Sequence, residues 1–188
     1  MGAVDYRDVI IGLWTVWFVY WIAKSWSNKR TAYRANRTGW VLALLGGLGL
    51  RSLFERYHHF FRVELLRRTG ATEVIGIALC AAGLALAIWA RRSLGTNWSG
   101  GPTIKEDHEL IRTGPYRLVR HPIYAGLLVA GFGTAFGRGR LEDLVLFVYA
   151  FLCLGVKSKI EESLLLRQFP RAYPEYRKQT KALIPHLL

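Results

Sequence analysis

The stretch Gly114-Pro115-Tyr116-Arg117-Leu118-Val119-Arg120-His121-Pro122-Ile123-Tyr124-Ala125-Gly126 decides how this chain is interpreted. It joins a polar, proline-broken block to an apolar run that ends at Phe136. Proline suits the first position of a helix because its missing N–H would have no partner there. The stretch therefore predicts a helix that begins at Pro122. We expect His121 at the mouth of that helix rather than in a core, and Tyr124 one turn inside.

Two interpretations of this block remain open from its residues alone. Ionisable groups at the mouth of a membrane helix are costly, so Arg120 and His121 are candidates for function. Tyr116 and Tyr124 add aromatic faces that carry hydroxyl donors. The simpler alternative is an interfacial helix start, with arginine and tyrosine side chains reaching toward headgroups.

The composition points to a membrane rather than to nucleic acid. The chain has 188 residues, a formal net charge of +13 and 52% apolar residues. The apolar residues cluster in runs and the basic residues lie between them, which is typical of a multi-pass membrane protein whose loops face anionic lipid. We expect membrane lipids as partners and no nucleic acid.

Five apolar segments define the predicted architecture: 9–23, 40–54, 74–90, 122–136 and 141–156. Each is shorter than the roughly 20 residues of a simple span, so a soluble helical bundle is the alternative. Glycines in the second and third segments favour close packing of membrane helices. The prediction is an all-α membrane bundle of about five transmembrane helices. Residues 1–188 form one integral-membrane domain, with 1–90 as scaffold and 91–188 as the catalytic and cofactor-binding half.

The distribution of lysine and arginine predicts an orientation. If all five segments span, 24–39, 91–120 and 157–188 share one side and hold 18 basic residues, against 8 on the other side. By the positive-inside rule, the loop 91–120 and the tail then face the cytosol.

Three further features carry simpler expectations. Trp14, Trp17 and Trp21 share one helix face, which predicts a surface toward lipid or the membrane interface. Arg91 is expected to snorkel from the end of its helix. Cys80 lies inside an apolar run and is expected to be a packing residue, and no metal site is expected.

A second polar cluster follows the fifth apolar segment. Lys157 and Glu161 are i, i+4 neighbours if the helix continues, and Glu162 lies beside them. A solvated helix face is the ordinary explanation, whereas an inward-pointing acid would be suited to hold an ammonium group. The aromatic segment 169–177 that follows is amphipathic, so it would close over a site or lie on the bilayer.

These residues resemble a known superfamily. The Gly-x-Tyr-x-x-x-Arg-His-Pro-x-Tyr-x-Gly run, the Glu161-Glu162 pair and the later Phe169, Tyr173, Tyr176 and Leu183-Ile184-Pro185 are similar to the isoprenylcysteine carboxyl methyltransferases and the related phospholipid N-methyltransferases. The resemblance covers about residues 95–188. It implies a membrane enzyme that uses S-adenosyl-L-methionine in a non-Rossmann site, formed by the cytosolic loop and the C-terminal helical segment, and that methylates a lipophilic acceptor.

The resemblance also implies roles for individual residues. Glu161 matches the acid that receives the methionine amino group, with Glu162 beside it. Lys157 falls where the carboxyl methyltransferases have a substrate-binding arginine, and with Arg120 and His121 it is expected to carry the reaction. The implied cofactor-binding set is His108, Glu109, Leu110, Ile111, Tyr116, His121, Pro122, Ile123, Tyr124, Glu161 and Glu162.

Several alternatives stay open at this stage. Lysine is a point charge where arginine would grip a carboxylate with a fork, so the acceptor is either an isoprenylcysteine-like carboxylate, a phospholipid or a small thiol. An NADPH-dependent enzyme like the sterol reductases shares part of the motif. A small membrane protein without enzymatic activity is the remaining possibility.

Overall fold

The structure, a computed structural model, describes residues 5–25, 31–34, 38–57, 63–95, 103–105 and 110–184. In this part of the chain six α-helices occur: α1 (Tyr6–Ser25), α2 (Thr38–Arg56), α3 (Gly70–Leu94), α4 (Pro122–Arg138), α5 (Leu141–Gln168) and α6 (Ala172–Gln179). Each predicted apolar segment lies inside one of the first five, so the predicted helical bundle is confirmed. A short antiparallel ribbon of β1 (Thr31–Arg34) and β2 (Thr103–Lys105) was not predicted.

Helices α3 and α4 pack with their backbones in contact. A Cβ on Gly83 would collide with the backbone of Gly126 and Ala130, and a Cβ on Gly76 would lie 2.8 Å from the Gly133 carbonyl oxygen. Small residues allow such an approach between helices in lipid, where packing replaces the hydrophobic effect as the source of association. The expectation of close packing through the third segment's glycines is therefore confirmed.

Helix α1 lies against this pair through its tryptophans. Trp14 donates from Nε1 to the Thr134 hydroxyl at 3.1 Å, and Trp17 and Trp21 stack with ring centroids 4.7 Å apart. All three indoles pack on buried clusters of the bundle. The expected lipid-facing surface is wrong for this face, because the Trp14 indole N–H has a polar partner and all three rings pack inside the bundle.

Arg91 differs from its predicted state as well. Its side chain is buried and does not snorkel. It donates to the Gly95 carbonyl oxygen at 2.6 Å and to the Lys24 carbonyl oxygen at 2.7 Å. Because the last carbonyls of a helix have no partners within it, Arg91 satisfies such a group at the end of α1 and ties α1 to α3.

The bundle has two chemically distinct ends. At one end, residues 63–66 bond to the α4–α5 turn, with Leu65 N–H donating to the Gly139 carbonyl oxygen at 2.8 Å. At the other end lie the 3-10 helix Gly114–Arg117, the start of α4, the end of α5 and α6. Helix α5 carries Glu142 near its start and Glu162 near its end. At 1.5 Å per residue these acids are about 30 Å apart, close to the hydrocarbon thickness of a bilayer.

Helix α3 has the length and apolar composition to cross a membrane. Among the helices in the described ranges, α3 is the one that meets both measures. Helix α5 is longer, with 28 residues, but it includes charged residues near both ends, such as Glu142 and Glu162.

Candidate active site

The Arg-His block is held against the C-terminal tail by main-chain bonds. Arg120 N–H donates to the Lys181 carbonyl oxygen at 2.8 Å, and His121 N–H donates to the Ala182 carbonyl oxygen at 3.0 Å. His121 caps α4 and Pro122 occupies its first turn, as the sequence predicts. The residues directly before the helix, Val119 to His121, therefore pair with the tail as a short parallel bridge.

Glu162 is the centre of an ionic cluster at this end. Its Oε1 lies 2.8 Å from Arg120 Nε and 3.3 Å from His121 Nε2, and its Oε2 lies 3.8 Å from Arg177 Nε. Burial alone would raise the pKa of the Glu162 carboxyl. The hydrogen bonds from His121 and Arg120 and the charge of Arg120 outweigh burial and hold this pKa at about 2. Glu162 is therefore ionised, and each of its two carboxylate oxygens lies within 4 Å of a basic side chain.

Glu161 has a different environment from its neighbour. The Tyr124 hydroxyl donates to its Oε1 at 2.6 Å, and its Oε2 lies 3.7 Å from His121 Nδ1. The Glu161 side chain keeps 21% of its surface exposed, against 11% for Glu162. Both carboxylates contact His121, but only Glu162 is paired with Arg120 and only Glu161 accepts from Tyr124, and Glu161 retains accessible acceptor capacity.

His121 lies between these two carboxylates and is buried, at 7% exposure. Its ring stacks parallel on Tyr124, with centroids 5.5 Å apart. The expectation that His121 sits outside the core is wrong. The helix mouth itself is covered, because α5 and the tail pack over it.

Lys157 completes the cluster on the side of Tyr124. Its Nζ lies 5.2 Å from the centroid of the Tyr124 ring, within the range of a cation–π contact. It lies one turn before Glu161 on α5, as predicted from the continuing helix. The Tyr124 ring thus contacts both the Lys157 ammonium and the His121 imidazole.

The other candidates are split between the wall of this cluster and the core. Tyr116, Pro122 and Ile123 are buried, and Ile111 packs on the same small core as Tyr116 and Ile123. Leu110 is half-buried. His108 and Glu109 lie outside the described residues. The structure therefore brings together Arg120, His121, Tyr124, Lys157, Glu161 and Glu162.

The tail contributes contacts that were not part of the predicted site. Arg120 Nη1 donates to the carbonyl oxygens of Thr180 and Arg177, the latter at 3.4 Å, so the end of α6 is tied to the cluster. The Tyr176 hydroxyl donates to the Tyr116 carbonyl oxygen at 2.6 Å. Burial and the negative charge of Glu162 raise the pKa of the Tyr173 hydroxyl, which stays neutral. Two signals in the sequence pointed to this segment: its amphipathic, aromatic pattern over 169–177, and the similarity of Tyr173 and Tyr176 to the superfamily.

The structure is thus a predominantly helical bundle with an ionised cluster at one end. The sequence profile of the phospholipid methyltransferase family matches residues 71–172, more than half of the chain. The chain therefore belongs to the phospholipid methyltransferase family, whose members are integral membrane proteins.

Individual relatives extend this result. The chain is 32% identical over 81 residues to a protein-S-isoprenylcysteine O-methyltransferase of Schizosaccharomyces pombe, covering 43% of this chain and 34% of that one. It is 32% identical over 85 residues to the nickel-cobalt-cadmium resistance protein NccN of Alcaligenes xylosoxydans xylosoxydans, covering 44% of this chain and 39% of that protein. The matches thus span well under half of these relatives.

A solved structure shares the fold. The structure of the eukaryotic intramembrane Ras methyltransferase, isoprenylcysteine carboxyl methyltransferase, superposes with a TM-score of 0.64 at 18% identity. The match covers 100% of this chain and 70% of that one. The similarity identifies the fold of this chain as that of an intramembrane helical bundle.

Proposed function

We propose that this chain is an integral-membrane S-adenosylmethionine-dependent methyltransferase that acts on a lipophilic acceptor, like the isoprenylcysteine carboxyl methyltransferases. The observation that carries the proposal is the division between the two adjacent glutamates. Glu162 is occupied by Arg120 and His121, whereas Glu161 is oriented by Tyr124 and keeps part of its carboxylate exposed.

The donor set at Glu161 fits the amino acid portion of S-adenosylmethionine. An exposed carboxylate beside aromatic rings suits an ammonium group, since a charge-assisted hydrogen bond to a carboxylate is strong. Glu161 would hold that ammonium, and Tyr116, His121 and Tyr124 would border it. The resemblance adds Leu110, Ile111, Pro122, Ile123, Glu162, His108 and Glu109 to this pocket. When bound, the cofactor supplies an electrophilic methyl group on a sulfonium centre.

The chain's own residues would orient the reactants and place charged groups around them, rather than transfer protons. An acceptor that is already a carboxylate or thiolate needs orientation and exclusion of water more than a base. Lys157 would bind the anionic part of the acceptor beside the Tyr124 ring. Arg120 and His121 would hold Glu162 and the tail, and so keep the mouth of α4 against α5.

The positive charge of Lys157 indicates the chemical class of acceptor that the site would bind. A single ammonium at a membrane boundary suits a lipid-attached carboxylate, and it would also accommodate a phospholipid headgroup or a small thiolate. The spacing of charges along α5 supports a multi-pass arrangement with the site at one membrane surface. The excess of lysine and arginine at this end supports a cytosolic orientation.

Ligand binding to the purified protein tests the proposal. Calorimetry should show binding of S-adenosylhomocysteine and none of NADPH. Glu161→Gln should weaken that binding by roughly tenfold or more, because it removes a charged acceptor worth about 1.5–3 kcal/mol. Glu175→Gln, an exposed acid on α6, is the matched control. Binding of NADPH alone would identify a reductase, and binding of neither ligand would indicate a protein without this activity.

Methyl transfer itself needs a second experiment. Purified protein incubated with a lipid extract and radiolabelled S-adenosylmethionine should transfer label to an extractable lipid, whose identification names the acceptor. Label found only in water-soluble thiols would replace the lipophilic acceptor by a small thiol.

A further inference from the structure

A cavity lies at the end of the bundle that does not contain the Glu161 cluster. Its volume is about 300 Å³, and it lies where the ends of α2 and α4 meet the start of α5. Its lining comprises Arg51, Phe54, Glu55, Arg138, Arg140, Glu142 and Leu146. None of these residues belongs to the candidate active site.

Charged side chains of both signs line the cavity. Arg138 lies 3.2 Å from the buried Asp143 and 3.6 Å from Glu142, so its charge is shared between these two acids. Arg51 pairs with Glu55 at 2.8 Å and Arg140 with Glu142 at 3.4 Å. Three arginines and two glutamates therefore line one small volume, which suits a ligand that carries both signs.

The arginines have further donors to offer. Arg51 uses Nε toward Glu55, and Arg140 uses Nη1 toward Glu142. Each guanidinium carries five N–H donors, so a pair formed through one nitrogen is compatible with a second, phosphate partner. The carboxylates likewise have more lone pairs than these contacts use.

An exposed apolar stripe on α2 leads to this cavity. Leu44, Leu48, Arg51 and Glu55 follow i, i+4, i+7 and i+11 spacing and so share one helix face. Leu44 and Leu48 are 70% and 64% exposed. An apolar stripe that ends in a charged cavity has the pattern of a phospholipid, with acyl chains along the leucines and the headgroup among the charges.

We propose that this cavity binds the headgroup of a phospholipid with a primary ammonium, namely phosphatidylethanolamine. The phosphate accepts from Arg51 and Arg140, and the ammonium donates to Glu55 and Glu142. A quaternary ammonium has no N–H to donate, so phosphatidylcholine fits the carboxylates less well. Glu142 is about 30 Å along α5 from Glu162, so this lipid stabilises the far end of the bundle and is not the methyl acceptor. The proposal does not depend on methyl transfer.

Lipid titration of the detergent-solubilised, full-length protein tests this site by native mass spectrometry. Phosphatidylethanolamine should bind more tightly than phosphatidylcholine or phosphatidylglycerol. Arg51→Gln and Arg140→Gln should each weaken its binding by roughly tenfold or more. Arg56→Gln, an exposed residue at the same end of α2, should leave binding unchanged. Arg51 and Arg140 are partly exposed, so lipid-free thermal melting should match wild type and verify folding.

Two further arms separate the parts of the proposal. Glu55→Gln should weaken binding of phosphatidylethanolamine and leave phosphatidylglycerol unchanged, because only the former has an ammonium. Inorganic phosphate should not displace the lipid at millimolar concentration. Equal binding of all three lipids, displacement by phosphate, or an Arg51 variant that behaves like the Arg56 variant would overturn the site.

Discussion

Replacing Glu162 by glutamine should destabilise the protein by removing the charge at the centre of the ionic cluster. The Arg120 and Glu162 side chains are 9% and 11% exposed, so the pair is shielded from solvent. A fall in the Glu162 pKa from its ordinary value of 4.5 to about 2 corresponds to roughly 3 kcal/mol of stability at pH 7. Removing one partner of a buried ion pair costs a similar amount, about 3–5 kcal/mol.

Denaturant unfolding in detergent, followed by tryptophan fluorescence, measures this difference. We expect Glu162→Gln to lose about 3 kcal/mol at pH 7 and Glu175→Gln, which makes the same charge change on an exposed position, to lose almost none. Because the folded pKa is depressed, the contribution is complete above pH 4.5 and disappears as the pH falls toward about 2. The gap between wild type and variant should therefore narrow below pH 4.5. Equal stabilities of the two variants at pH 7, or a gap that does not change with pH, would refute the assignment.

Three other perturbations test separate parts of the molecule. Lys157→Ala should raise the acceptor KM or lower kcat while leaving the S-adenosylhomocysteine dissociation constant near wild type; a loss of cofactor affinity would contradict a role on the acceptor side. Gly83→Ala should destabilise the bundle by about 1–3 kcal/mol in the same unfolding assay, because its Cβ would meet the α4 backbone, whereas Gly49→Ala, with open space around it, should not. Single cysteines at the exposed positions Ser52 and Ser163 should label from opposite sides of the membrane in intact cells, and labelling from one side would exclude the proposed span of α5.

The helices and the polar block could be predicted because local rules determine them. Apolar runs of helical length and a proline in the first turn of α4 depend on neighbouring residues, and both predictions hold. The helices extend beyond the apolar runs because charged ends can leave the hydrocarbon layer. Helix α5 is the clearest case, since it continues from the apolar segment through Glu162.

The burial of particular side chains could not be predicted, because their partners are distant in sequence. Arg91 has the sequence context of a snorkelling residue, and its second acceptor is a main-chain carbonyl of Lys24 that no sequence pattern marks. His121 has the context of an exposed helix mouth, and it is covered only because α5 and the tail fold over it. The tryptophan stripe of α1 similarly depends on Thr134, which lies 120 residues away from Trp14.

The glycine contact between α3 and α4 joins these two helices into one unit. With peptide groups in direct contact at Gly76 and Gly83, neither helix can slide or turn against the other without collision, so the pair behaves as one rigid body. His121 belongs to that body, whereas Glu162 belongs to α5. The ion pair between Arg120 and Glu162 therefore crosses the boundary between the α3–α4 pair and α5. We expect any opening that admits a bulky acceptor to occur as a hinge movement between α5 and the α3–α4 pair. Such a movement would require the Arg120–Glu162 ion pair to break.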